Sequence, residues 1–107
     1  MILVHIIIEK REQAMEIIDT LLDKKLLFNA MLSEKKVFEK DSRTGELKSK
    51  IQILVIGKTK SLLFNSINKL LISMYGNTNK MPRIYCLPIV YMDPEQSEAL
   101  LERTVKI

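Results

Sequence analysis

Two side chains in this sequence could ligate a transition metal: the single histidine, His5, and the single cysteine, Cys86. A site for such an ion wants several His, Cys or carboxylate ligands converging at fixed geometry. His5 and Cys86 therefore count as a metal pair only if they lie on adjacent strands, or if symmetry gathers several copies of His5. Each also has a structural reading. His5 interrupts an apolar run and fits a core or interface position, and Cys86 between Tyr85 and Leu87 fits a small buried residue. Nucleophilic catalysis finds no support, because no serine or cysteine has a histidine partner other than His5. Glu9, Glu12 and Glu16 follow helical spacing and read as a solvated face. Three glycines make no phosphate-cradling loop. No catalytic residue is expected, and the chain reads as a binding or structural protein, not an enzyme.

The elements that would position these residues follow from periodicity. Residues 2–8 are β-branched and apolar at odd and even positions, which predicts a central strand covered on both faces. Ala14, Ile17, Ile18, Leu21 and Leu22 recur at helical spacing, with no good capping residue before them, and the helix should fade near 26–28. A weaker strand over about 29–40, a polar turn at 41–46 with Gly45 free to take positive φ, and a strand over 47–58 predict a long hairpin. Thr59 or Ser61 can cap a second helix with buried stripe Leu63, Ile67, Leu70, Leu71 and Met74, and Gly76 sits where a C′ glycine should end it. The last strand should span 83–91 and, because Pro88 lacks an N–H, lie at a sheet edge or carry a bulge at that point. Asp93, Pro94 and Gln96 combine N-cap, N1 proline and capping-box glutamine ahead of a short helix over about 94–103.

The order is that of an α+β, ferredoxin-like βαββαβ sandwich forming one domain over residues 1–107. Right-handed crossovers put two helices on one face of a four-stranded antiparallel sheet of order 4-1-3-2, with a short C-terminal helix added. Two helices cover one face only, yet the strands are apolar on both. Leu3 and Ile7 flank His5 on the second face of the first strand, and Leu54 and Ile56 occupy that face of the third. Soluble monomers avoid contiguous apolar patches of this kind. Burying ~500 Å² would gain on the order of 10 kcal/mol before association costs. Self-association through the sheet is the expectation; the alternative is that the C-terminal helix alone covers this face.

Composition narrows the partners. With 47% hydrophobic and 28% charged residues the chain reads as globular, and no run approaches the ~20 apolar residues of a membrane span. The opening lacks a basic n-region, and charged residues 9–12 stand where a signal-cleavage site would be, so a cytoplasmic location is expected. Residues 35–60 hold eight Lys/Arg against three Asp/Glu, a local +5 within a total of +4. RNA-recognition modules share this topology but stack bases on aromatics of strands one and three, and residues 2–8 and 47–58 contain none. What remains of a nucleic-acid reading is non-specific attraction to Lys48, Lys50, Lys58 and Lys60.

The chain also resembles the CutA, or divalent-cation-tolerance, family, whose architecture is PII-like. Leu26-Leu27 at the end of the first helix resembles the family's Leu-Ala-Ala, and Gly45 precedes Lys58 by thirteen residues as the family's hairpin glycine precedes its lysine. Ile56-Gly57-Lys58-Thr59 resembles its Ile-Lys-Thr, and Met81-Pro82-Arg83-Ile84 followed by Leu87-Pro88-Ile89 resembles its Val-Pro-Glu-Ile and Leu-Pro-Val. There are departures. Asp41 and Arg43 replace a Tyr and Trp, Asn29 replaces a cysteine, residues 77–79 replace His-Pro-Tyr, and Arg83 replaces a glutamate. The resemblance implies a homotrimer with a role linked to divalent metal ions, the ion being its one implied cofactor. Its PII and ACT relatives imply an alternative, a regulatory sensor holding a small anion between subunits. Lys58, Thr59 and Arg83 are the ligand candidates in that reading, against ordinary roles as ion-pair partners and helix cap.

Overall fold

The computed structural model describes residues 1–107. Strand β1 (Ile2–Ile8) turns Ile2, Val4, Ile6 and Ile8 into the core at period two. Helix α1 (Arg11–Asp23) buries Ala14, Ile17 and Leu21 against them, and it starts at Lys10 without a side-chain cap. It closes through Lys25, whose φ of 57° is the left-handed conformation usually left to glycine, and Leu26 N–H then donates to Leu21 O at 2.9 Å. The chain enters β2 (Asn29–Lys40) behind buried Leu26 and Leu27. Asp41 accepts from the N–H groups of Arg43 at 2.8 Å and Thr44 at 3.2 Å, Gly45 takes φ 72°, and β3 (Leu47–Thr59) returns. Gly57 lets β3 pass close under the end of α1, since a Cβ there would lie 2.7 Å from Leu27 Cδ1 and 3.0 Å from Asn29 O.

The sheet order is β2-β3-β1-β4, all pairs antiparallel, as the crossover rules predict. Helix α2 (Phe64–Tyr75) lays Ile67, Leu71 and Tyr75 beside α1, so one cluster joins both helices to Val4, Ile6, Ile53 and Val55. β1 pairs with β3 only as far as Ile8↔Ile53, whereas β2 and β3 stay paired out to Lys40↔Leu47. The hairpin therefore projects beyond the body. The radius of gyration is 15.4 Å and the longest extent 50 Å, against about 13 Å for a compact chain of this length.

Three expectations are corrected. Thr59 does not cap α2: it is fully buried in β3, and its Oγ1 donates to Leu26 O at 2.6 Å. A 3-10 turn at Ser61–Leu63 follows and α2 starts at Phe64, with no side-chain cap. Gly76 keeps helical φ of −62°. Its small size serves a close approach, since a Cβ would fall 2.5 Å from Ile72 O. Strand β4 (Arg83–Pro88) ends at the proline, short of residue 91, because no N–H is available there. One further bond, Ile89 N–H to Met1 O at 2.9 Å, continues beside β1, and the chain then leaves with Val90 98% exposed. Helix α3 (Pro94–Arg103) begins as the sequence predicts, with Asp93 Oδ1 accepting from Gln96 N–H at 2.9 Å.

Candidate functional site: the second sheet face and the hairpin root

Strand register fixes the face that α1 and α2 leave open. Directly paired residues share a face, so Leu3 lies between Lys58 and Leu87, His5 between Ile56 and Tyr85, and Ile7 between Leu54 and Arg83. Met31 extends the middle row on β2. Leu3, Ile7, Leu54 and Ile56 are half-buried by their neighbours, while Met31, Tyr85 and Leu87 remain 45–57% exposed. The result is an apolar sheet surface about three rows deep. His5 sits at its centre, with its ring 4.9 Å from that of Tyr85 and its Nδ1 buried without a hydrogen-bond partner.

Helix α3 does not cover this surface. It meets the sheet at one end, where Lys58 Nζ donates to Gln96 Oε1 and Gln96 Nε2 donates to Asp93 Oδ2 at 3.1 Å. The bonds from Gln96, backbone first and then side chain, hold the Asp93 carboxyl below the usual range, with Lys58 adding a smaller pull. Lys58 is thus engaged by α3, and Thr59 is sealed in the core on the opposite face. Arg83 stands opposite Ile7 on the other side of β1 from Lys58, and four residues, or roughly 13 Å, farther along the strand than the Leu3–Lys58 pair. One chain does not bring the three predicted ligand residues together.

The candidate metal ligands are also separated. His5 pairs across from Tyr85 on the open face, while Cys86 pairs across from buried Val4 and so belongs to the helix-covered side. Cys86 is exposed, not buried as its apolar neighbours suggest, because it lies on the edge strand β4. No group of three or more His, Cys, Asp or Glu side chains is placed to hold a metal ion. The donors of one chain do not fit such an ion.

A second feature lies at the root of the hairpin. The end of β1, the start of β4 and the 79–82 loop face β2 and β3 across a cavity of about 530 Å³. Lys50, Lys80 and Arg83 line it, together with Glu9 and Glu39, and Lys80 also borders a smaller pocket beside Glu12 and Glu16. Of these only Arg83 stands out in the sequence. The others are far apart in the chain and meet through register, Val37 opposite Lys50 and Ile7 opposite Arg83.

No protein-family model matches this chain, and no curated protein matches it. Solved structures do. CutA1 from Pyrococcus horikoshii superposes with a TM-score of 0.82 at 22% identity, over 99% of this chain and 100% of that one. The periplasmic divalent cation tolerance protein CutA from Archaeoglobus fulgidus gives 0.79 at 25% identity, over 96% and 98%. The divalent cation tolerance protein from Thermus thermophilus gives 0.78 at 23% identity, over 98% and 100%. The chain has the CutA fold over nearly its whole length. No helix in it is long and apolar enough to cross a membrane.

Proposed function

We propose that this chain works as a CutA-like homotrimer, a non-catalytic binding or structural protein whose role is connected with tolerance of divalent cations. The observation that carries this reading is the open apolar face around His5. Leu3, Ile7, Leu54 and Ile56 lie on it, half-buried, with Met31, Tyr85 and Leu87 at its margins, and α3 meets it at the Lys58 end. Burying about 500 Å² per chain is worth roughly 12 kcal/mol, and association costs take back most of it. One unpaired charge buried per chain would be enough to break the assembly. The neighbours' names supply the link to divalent cations. Metal chemistry, if the assembly has any, needs copies of His5 from several chains. A reducing cytoplasm suits the exposed, unpaired Cys86.

Native mass spectrometry of the parent and of Ile56→Glu tests this reading. The carboxylate would be half-exposed in a single chain but desolvated in the assembly, so the variant should fold and run as a monomer while the parent runs as a trimer. A variant that keeps the parent's mass would show that this face is not the interface. A second reading, the small-anion sensor, is favoured by the cationic cavity at the hairpin root.

A further inference from the structure

The cavity at the hairpin root has the size of a small-molecule site. Ile7, Val37 and Met81 supply an apolar wall. Of the three cations that reach it only Lys50 has an ion-pair partner, Glu9 at 4.0 Å; Lys80 and Arg83 have none. Both are carried on fixed backbone. Arg83 is locked in register opposite Ile7, while the Lys80 carbonyl accepts from Gln13 Nε2 at 2.6 Å and its N–H donates to Thr78 Oγ1 at 3.0 Å. Two unpaired cations beside an apolar wall are the elements of a preorganised anion site. With Glu9 and Glu39 opposing Lys50, Lys80 and Arg83, the lining carries a net single positive charge, which suits one anionic group better than a polyphosphate.

We propose that this cavity binds a small organic oxyanion, a carboxylate or a phosphate monoester on a short apolar body, with its charge on Lys80 and Arg83 and its body against Ile7, Val37 and Met81. The site deepens the sensor reading and rests on it; its lining comes from one chain, but Ile7 and Arg83 also lie on the open sheet face, so the cavity borders the proposed interface. Chemical-shift titration of the ¹⁵N-labelled protein tests it with phenylacetate and succinate in one arm, phenyl phosphate and glycerol 3-phosphate in the other. At least one arm should saturate with Kd below ~1 mM and move the amides of Val37, Met81 and Arg83. Saturation in the carboxylate arm alone, or in the phosphate arm alone, supports the site and identifies the source of the oxyanion. Arg83→Ala should weaken that binding by about tenfold or more, Arg83→Lys by less, and Lys69→Ala, on the exposed side of α2, not at all. No Kd below ~1 mM in either arm, or unchanged affinity in Arg83→Ala, would overturn the proposal. Light scattering on the same sample separates the two readings: a trimer that binds neither class loses the cavity alone, and a monomer that binds loses the interface alone.

Discussion

Removing the Tyr75 hydroxyl should expose a pH-dependent tie between the two core helices. Tyr75 closes α2 with its ring buried, and its hydroxyl donates to Glu16 Oε1 on α1 at 2.7 Å. Burial first, then the bond to Glu16 and its negative charge, push this phenol from 10.0 up to about 12. The folded chain thus keeps a proton that the unfolded chain has lost between those values. Stability falls as pH rises wherever the native state binds more protons, so this contribution is full below about pH 10 and disappears toward about 12. The shift would be worth at most roughly 2.7 kcal/mol, and the partial exposure of the Tyr75–Glu16 bond reduces that to about 1 kcal/mol. Tyr75→Phe should therefore cost about 1 kcal/mol at neutral pH, and the gap should close on the alkaline side. Urea unfolding followed by circular dichroism, at one protomer concentration, measures it. The rest of the chain is the same in both proteins and cancels in the difference. A gap still constant at about pH 11.5, or a variant as stable as the parent at neutral pH, would refute the reasoning.

Other outcomes follow from single contacts. Thr59→Val keeps the shape but strips Leu26 O of its buried donor, so unfolding should cost about 1–3 kcal/mol less; a loss under about 0.5 kcal/mol in urea melts would show that the carbonyl finds another partner. Zinc titrated by calorimetry should bind no tighter than ~100 μM unless assembly gathers several His5 side chains, and in that case His5→Ala should abolish the tight phase. Tight binding that survives His5→Ala would place the metal on residues other than His5. Asp93→Ala should lower the thermal midpoint by removing the α3 cap and releasing Gln96 from its hold beside Lys58. Because Gln96 depresses the Asp93 pKa in the folded chain, that advantage is present above the ordinary carboxylate range and fades as pH falls through the folded value. A variant midpoint equal to the parent's at neutral pH would contradict it.

Strand order, the hairpin with Gly45 at its tip and the α3 cap were legible because each rests on local chemistry: period-two apolar runs, a turn residue with positive φ, a side chain bonding three residues ahead. The start of α2 was not. Thr59 looks like a cap in the sequence, but it is claimed by Leu26 O, thirty-three residues back, in a contact that exists only once α1 and β3 are packed. Gly76 reads as a positive-φ terminator, and only the backbone shows that it is needed for its closeness to Ile72 O. Two-sided strands signalled the open face, because Leu3, Ile7, Leu54 and Ile56 have no reason to be apolar beside water. The hairpin-root cavity drew no such signal: Glu9, Glu39, Lys50 and Lys80 are ordinary surface charges until register brings them around Ile7 and Val37.

The central claim is that the open sheet face joins copies of this chain, and the solution mass by light scattering behind size exclusion tests it most directly. The account predicts about three times the 12.4 kDa chain mass, stable on dilution into the micromolar range. A single-chain mass under the same conditions would contradict it.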